Sequence, residues 1–369
     1  MVAKTYRLDA IKRGGGFLGL LGMIVWCLCL PQAVATGINR GLSVCANVVI
    51  PTLYPFMLLA GILSGSPLCR RPGQLSEVIT RWLFGLPGCC GPAILMGLLG
   101  GYPAGALVIG RLRKQALIEE TEARRMTLFC INAGPGFIIS TVGSGLLGSP
   151  GAGLLLFAAH AGVSIITGIL LGKGHRQQRP EPPAVSPPAP SLAATVADTC
   201  QALLTMCGFV MAAAALLSLI EATGIALCLQ QITGLPARYW SAATAGLLEV
   251  SSGCIALAGT GEAAPFWLCL CLGWGGLSVQ GQLVAALGST SIVNRQFYIG
   301  RLLHGISSGA VALLLFRLFP AALPTVGGGT RVMGYTVSVK ASIMLLLLSF
   351  LAMCIFSSKS TGKSQRNVV

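Results

Sequence analysis

Long apolar stretches, separated by short basic or proline-rich segments, dominate the hydrophobic pattern of this 369-residue chain. Several of them reach the roughly 20 residues that a helix needs to cross the hydrocarbon core of a bilayer. Charged residues make up only 9% of the sequence, whereas soluble domains carry about 25%, and the mean hydropathy is +0.79. The pattern therefore predicts an all-α polytopic membrane protein.

The formal net charge of +15 is distributed over short clusters between the apolar stretches, without interleaved aromatic residues. Clusters of Lys and Arg beside apolar helices are typical of cytoplasmic loops, which fix the orientation of a membrane protein. The clusters therefore predict cytoplasmic N- and C-termini and contact with membrane lipid. They do not favour nucleic acid as a partner.

The first 40 residues have two interpretations. Basic residues precede the apolar run Phe17–Leu30 and Ala33-Val34-Ala35 follows it, which is the arrangement of a secretory signal with its cleavage site. It is equally the arrangement of an uncleaved transmembrane helix with a cytoplasmic N-terminus. Because further membrane helices follow at once, the uncleaved helix is the preferred interpretation.

The apolar stretch Cys130–Gly143 is interrupted at its centre, where Asn132–Gly136 reads Asn-Ala-Gly-Pro-Gly. Glycine and proline weaken a helix, and irregular backbone at membrane depth is tolerated where it faces protein or a wet cavity. The stretch predicts a broken membrane helix beside a polar site. A kink at a close helix–helix contact is the alternative.

Two further stretches favour helical hairpins. Gly91–Gly110 has the turn sequence Gly100–Gly105 between two short apolar arms. Ten helical residues rise about 15 Å, half of a bilayer core of about 30 Å, so a re-entrant hairpin fits better than one kinked span, which remains the alternative. Ala242–Gly261 has the same form, with a polar break at Glu249–Gly253.

The order of these stretches occurs twice, which predicts two inverted repeats, each with a hairpin and a broken span. The first contains Ser43–Ser64, the hairpin Gly91–Gly110, the broken span Cys130–Gly148 and the span Gly153–Gly172; the second contains Thr195–Leu227, the hairpin Ala242–Gly261, the broken span Pro265–Gly288 and the span Leu302–Leu318. The basic loops orient the two units oppositely. Paired interrupted segments in inverted halves point to a transporter site at the membrane midplane.

The predicted organisation has five parts. They are an N-terminal transmembrane or signal-anchor helix (1–40), the first repeat (41–172), a basic, Pro-rich cytoplasmic linker (173–194), the second repeat (195–320), and a C-terminal helix, Val339–Phe356, with a basic tail (321–369). A loop with Arg295 and Arg301 is expected to lie in the cytoplasm, before the span that starts at Leu302.

Glu249 is the candidate with the most specific chemistry, because it is an acid within an apolar segment. A charged carboxylate at the bilayer centre costs at least about 2.5 kcal/mol, so a bound cation, a proton or a partner is expected. We expect a ligand or a coupling ion, Na⁺ or H⁺, at this residue. An acid at the membrane surface, or a structural hydrogen-bonded glutamate, is the alternative.

The other candidate ligand-binding residues supply amides, hydroxyls, an aromatic ring and irregular backbone at the predicted breaks. They are Tyr102, Asn132, Gly134, Pro135, Ser251, Ser252, Gln280 and Gln282. Such a set suits a polar, uncharged organic solute. Helix packing is the alternative for each of them.

Several function classes lack support in the sequence. There is no Gly-x-x-x-x-Gly-Lys-Ser/Thr loop, no hydrolytic constellation and no Cys or His spacing suited to a metal. Most of the 14 cysteines lie in apolar segments, where they behave as small hydrophobic residues. We therefore expect no enzyme, no cofactor and no metal.

A set of motifs resembles the sporulation integral membrane protein YlbJ family, which carries the nucleoside-recognition, or Gate, domain shared with nucleoside transporters. The motifs lie between about Gly41 and Phe319, at Pro51–Phe56, Gly101–Ala106, Asn132–Phe137, Leu248-Glu249 and Gly275–Val279. The resemblance implies a spore-forming bacterium, the cell membrane, a role in forming the spore cortex or envelope, and a nucleoside-transporter-like fold.

The resemblance and the candidate residues together lead to two hypotheses. The first is a secondary transporter or recognition protein for a nucleoside-like or other small polar solute. The second is a membrane scaffold of spore envelope assembly that keeps the fold without transport. Spore envelope proteins and a second copy of the chain are further candidate partners.

Overall fold

The computed structural model describes residues 17–65, 74–173, 191–287 and 292–320, and within these ranges the chain is helical and contains no strand. Five runs are long and apolar enough to cross a membrane: Pro31–Leu63, Pro150–Gly172, Leu192–Ala222, Gly261–Leu287 and Arg295–Leu318. The prediction of an all-α polytopic membrane protein is thereby confirmed. Most of the predicted linker and the C-terminal helix Val339–Phe356 lie outside the described residues.

The helices of the N-terminal half are α1 (Phe17–Cys29), α2 (Pro31–Val44), α3 (Ile50–Gly65), α4 (Gln74–Ile79), α5 (Gly91–Leu99), α6 (Tyr102–Lys114), α7 (Glu120–Thr127), α8 (Gly136–Leu146) and α9 (Pro150–Gly172). Those of the C-terminal half are α10 (Leu192–Ala222), α11 (Ile225–Thr233), α12 (Ala237–Leu248), α13 (Val250–Leu257), α14 (Ala264–Trp274), α15 (Gly276–Leu287) and α16 (Arg295–Leu318). Helix α8 has the wider π-type hydrogen bonding.

The second predicted span, Ser43–Ser64, begins earlier than expected and is not broken at its prolines. A single run covers Pro31–Leu63, with Pro55 inside α3. Proline removes a backbone donor, and a helix accommodates this where its pitch changes locally. A π-type turn at Cys45–Val49 joins α2 to α3, so the pitch of the helix changes just before Pro51 while the run continues.

Helix α10 packs closely along α2. A Cβ added at Gly37 would lie 2.5 Å from the Cα of Ala215, and one added at Gly41 would lie 2.7 Å from the Cα of Met211. Glycines four residues apart let two membrane helices approach to backbone contact. The predicted span Thr195–Leu227 is too long, because α10 ends at Ala222 and a left-handed glycine starts a separate helix, α11.

Helices α5 and α6 fold back on each other, and so do α12 and α13. A Cβ at Gly105 would lie 2.9 Å from the Cα of Gly97, and the chain reverses at Gly101, whose φ is +83°. In the second pair, a Cβ at Gly253 would overlap the Cα of Gly246. Both pairs are therefore helical hairpins with glycines where their arms meet.

A cysteine of a neighbouring segment packs between the arms of each hairpin. A Cβ at Gly97 or at Gly105 would overlap the carbonyl oxygen of Cys130. In the second hairpin, a Cβ at Gly253 would lie 2.7 Å from the sulfur of Cys271. A cysteine thus lies between the arms in both hairpins, with its carbonyl group in the first and with its sulfur in the second.

Candidate functional site

The break of each hairpin lies against the break of another segment. A Cβ at Gly134, in the non-helical residues before α8, would lie 3.1 Å from the amide nitrogen of Gly101. A Cβ at Gly276, which starts α15 with a φ of +77°, would lie 3.0 Å from the Cα of Glu249. The starts of α6, α8, α13 and α15 consequently meet in one region.

A cavity of about 50 Å³ lies where these helix starts meet. Such a volume has room for about four water-sized groups, so this conformation has no space for a whole nucleoside. The cavity is lined by Val48, Val49, Thr52, Leu53, Gly101, Tyr102, Pro103, Ala133, Gly134, Phe137, Val210, Glu249, Val250, Ser251, Val279 and Gln282.

Glu249 brings a buried carboxylate to the cavity and is only 2% exposed. It is the N-cap residue of α13, and its two oxygens accept hydrogen bonds from the backbone N–H groups of Ser251 (3.0 Å) and Ser252 (2.7 Å). These donors and the positive end of the helix dipole compensate the negative charge. No ion pair among the described residues includes Glu249.

Gln282 adds an acceptor that faces the cavity. The residue is 7% exposed, and its Nε2 donates a 3.2 Å hydrogen bond to the Oγ of Ser278. Its Oε1 has no hydrogen-bond partner within the described part of the chain. A donor group of a bound solute would satisfy this oxygen.

Tyr102 presents its ring to the cavity, but its hydroxyl points elsewhere. The hydroxyl donates a 2.6 Å hydrogen bond to the carbonyl oxygen of Leu272. The aromatic surface is therefore available to a solute, whereas the hydroxyl already has an acceptor.

The starts of α6 and α8 have no side-chain cap. The first N–H groups of a helix lack partners within the helix and carry partial positive charge. Gly101 and Gly134 bring these two helix starts to the cavity.

The structure brings five of the nine predicted site residues to the cavity: Tyr102, Gly134, Glu249, Ser251 and Gln282. The other four do not line it. Pro135 precedes α8, and Ser252 contributes only its N–H to Glu249. The Nδ2 of Asn132 donates to the carbonyl of Phe129 and to the Oγ of Ser164, and the Nε2 of Gln280 donates to the carbonyl of Trp274.

Two groups of residues at or near the cavity are not among those predicted from the sequence. Thr52, Leu53 and Phe137 line the cavity. Their positions in the motifs Pro51–Phe56 and Asn132–Phe137 are the signal that could have indicated them. Arg301 was placed in a cytoplasmic loop, but it lies within α16 and is only 1% exposed. Its polar neighbours at helical spacing, His304 and Ser308, are the signal that could have revealed it.

Arg301 binds backbone rather than a carboxylate. Its guanidinium donates hydrogen bonds to the carbonyl oxygens of Ile131 and of Leu272, the second at 3.3 Å. Close by, Nε2 of His304 lies 3.2 Å from Nδ1 of His160, whose Nε2 accepts a 3.3 Å hydrogen bond from the Ala133 N–H. Among the described residues, no group of three or more His, Cys, Asp or Glu could hold a metal ion.

The chain is similar to the sporulation integral membrane protein YlbJ of Bacillus subtilis (strain 168), with 29% identity over 323 residues and 78% of each chain covered. No family model matches the chain. No solved structure matches it either. The extent of this similarity, together with the apolar helices, supports a relationship to the YlbJ family of sporulation integral membrane proteins.

Proposed function

We propose that the chain is a secondary transporter or recognition protein that binds a small polar solute between its two hairpins during sporulation. The observation that supports the proposal is the buried Glu249 carboxylate, which faces a cavity where half-helix starts from both halves meet. Sites of secondary transporters are built in this way, from interrupted helices of two repeats. The name of the Bacillus subtilis relative supports the link to sporulation.

The shared construction of the halves supports an inverted repeat. Leu98-Leu99 and Leu247-Leu248 each precede a hairpin break, and Cys130 and Cys271 pack at equivalent places between hairpin arms. Gly134 lies against the break of the first hairpin, and Gly276 lies against the break of the second. A motion that opens one hairpin and then the other would expose the cavity alternately to the two sides, with both termini in the cytoplasm.

The proposed solute is nucleoside-like, as the family resemblance implies, or another small polar molecule. Aromatic surface from Tyr102 and Phe137 would contact a planar group, and Gln282 and Glu249 would accept hydrogen bonds. A nucleoside would require the cavity to widen from its present volume of about 50 Å³. Na⁺ or H⁺ at Glu249 is the proposed coupling ion.

One observation favours the alternative, a membrane scaffold of spore envelope assembly. Glu249 already forms two hydrogen bonds that complete an N-cap, so the residue has a structural role without any ligand. In that case a neutral capping residue would serve as well as the acid. Spore envelope proteins or a second copy of the chain would then be the partners.

Replacing Glu249 by Asp and by Asn separates charge from capping, because these two residues cap helices about equally well. Each variant would be expressed in a Bacillus subtilis strain that lacks its YlbJ, and spore yield would be counted beside membrane abundance. The transporter proposal expects Asp to retain function and Asn to lose it at equal abundance. Equal function of both variants would contradict ion-coupled transport and favour the scaffold.

A ligand screen on the detergent-purified full chain tests binding directly. Nucleosides and small neutral, anionic and cationic solutes would be added with and without Na⁺ at two pH values. A solute at 100 times its dissociation constant adds about 2.7 kcal/mol to the free energy of unfolding. We expect at least one solute to stabilise the protein, and the Glu249→Asn variant to lose that stabilisation.

A further inference from the structure

Helix α16 carries a stripe of buried polar side chains along one face. Arg301, His304 and Ser308 are 1%, 3% and 0% exposed. Their spacing of three and four residues places them on the same side of the helix. A buried polar stripe in a membrane helix needs polar partners: His304 has His160 of α9, and Arg301 has carbonyl groups of the broken spans.

The guanidinium of Arg301 binds the backbone of both halves. One nitrogen donates to the carbonyl oxygen of Ile131, in the non-helical segment before α8, and the other donates to that of Leu272, in the last turn of α14. Carbonyl groups near a helix break lose their normal donors, and buried ones require replacements. A single side chain supplies that replacement at the two breaks.

The same guanidinium also packs against the ring of Tyr102, which lines the cavity. Its central carbon lies 5.6 Å from the centre of the Tyr102 ring, which is a cation–π distance. The Tyr102 hydroxyl donates to Leu272 O, the carbonyl that Arg301 also binds. Arg301 therefore links the first hairpin to the non-helical segment before α8 and to the break between α14 and α15.

No carboxylate pairs with Arg301 within the described residues. The titratable groups that face it are Tyr102, His160 and His304. Carbonyl dipoles and one ring thus stabilise its charge, and the two hydrogen bonds to Ile131 and Leu272 use the rigid fork of the guanidinium. Lysine offers a single ammonium and cannot reproduce this fork.

We propose that Arg301 is the positioning residue of the cavity: it fixes the break before α8, the break after α14 and the Tyr102 ring relative to one another, and keeps the cavity narrow. It does not line the cavity, so it acts through Ile131, Leu272 and Tyr102. The inference rests on the proposed function only in taking this cavity as the solute site. Loss of the fork should open the cavity while the helices stay folded.

The test measures how fast a water-soluble maleimide labels a cysteine introduced at Val279, a cavity residue that is 5% exposed. Peptide mass spectrometry would read position 279 alone, which removes the signal of the native cysteines. This cysteine would be introduced into the otherwise unchanged full chain and into the variants Arg301→Gln and Arg301→Lys. The control variant is Arg317→Gln, at an exposed position of the same helix. A cysteine at Leu217, 1% exposed in α10, is the reference for general loosening.

We expect Arg301→Gln and Arg301→Lys to raise the labelling rate at position 279 at least tenfold, and the rate at position 217 less than twofold. Arg317→Gln should change neither rate. An unchanged rate at position 279, or an equal rise at both positions, would overturn the proposal.

Tyr102→Phe is the milder variant that remains informative if the Arg301 variants do not fold. It removes one of the two donors to the Leu272 carbonyl, so the labelling rate at position 279 should rise by a smaller factor. An unchanged rate would contradict the proposed role of Arg301 and Tyr102 in fixing the cavity. These readouts need no solute. Failure of every solute to bind would overturn the proposed function and leave the labelling result to decide the role of Arg301.

Discussion

The hydroxyl of Tyr102 donates a 2.6 Å hydrogen bond to the carbonyl oxygen of Leu272, 170 residues further along the chain. This bond joins the turn of the first hairpin to the last turn of α14. It uses the polar end of an aromatic residue to tie the two halves together, while the ring faces the cavity.

Tyr102→Phe keeps the ring and removes this hydrogen bond. We expect a loss of about 1 kcal/mol in the free energy of unfolding, because Arg301 still donates to the same carbonyl. Unfolding of the detergent-purified protein measures it. Tyr239→Phe is the control, since the hydroxyl of that exposed residue only accepts from Arg238, and equal effects would show that the buried bond has no special role.

Gly276→Ala should displace Glu249. The new Cβ would lie 2.9 Å from the Leu248 carbonyl oxygen, in a left-handed conformation that costs an ordinary residue about 1–2 kcal/mol. Gly234→Ala is a matched control, because its φ is +73° but nothing lies within 4 Å of its Cβ. We expect both variants to lose stability and only Gly276→Ala to abolish spore formation in the complementation assay.

Gly97→Ala should prevent the first hairpin from closing. Its Cβ would overlap the carbonyl group of Cys130, and backbone cannot move aside as a side chain can. Gly162→Ala, in α9 with open space around its Cβ, should be neutral or stabilising by up to about 1 kcal/mol. The amount of folded protein in membranes compares them, and equal amounts would argue against the close packing of this hairpin.

Gln282 and Gln280 form a matched pair on α15, since only Gln282 lines the cavity. We expect Gln282→Met to weaken binding of the solute found in the screen by up to about tenfold, the value of one hydrogen bond. Gln280→Met should leave the affinity unchanged. Ligand-dependent unfolding would measure the dissociation constants of both variants. A larger loss of affinity in Gln280→Met than in Gln282→Met would contradict the proposed site.

Local composition indicates the places where the helices break. Glycine, proline or a buried acid marks Gly100–Gly105, Asn132–Gly136 and Glu249, and each coincides with a change in backbone direction. These signals are readable because the physical cause is local: positive φ, a missing donor, or a side chain that caps the next helix. Tyr102, Gly134 and Glu249, which lie at those breaks, also line one cavity.

Contacts between distant segments were not readable from the sequence in the same way. Arg301 follows a polar loop, so its charge favours solvent, and only the fold shows that carbonyls 29 and 170 residues away accept its hydrogen bonds. Asn132 is a ligand candidate from the sequence, but its Nδ2 donates to Phe129 and Ser164, and the residue does not line the cavity. Which polar group faces a cavity and which satisfies the backbone depends on tertiary packing.

The two hairpins are built alike but differ electrically. The turn of the second carries the Glu249 carboxylate, whereas the turn of the first consists of Gly100 and Gly101 and carries no charge. Carrying one elementary charge across a membrane changes the energy by about 2.3 kcal/mol per 100 mV. Voltage across the bilayer would therefore act on any movement of the second turn and exert no direct force on the first, although the two hairpins are similar in structure.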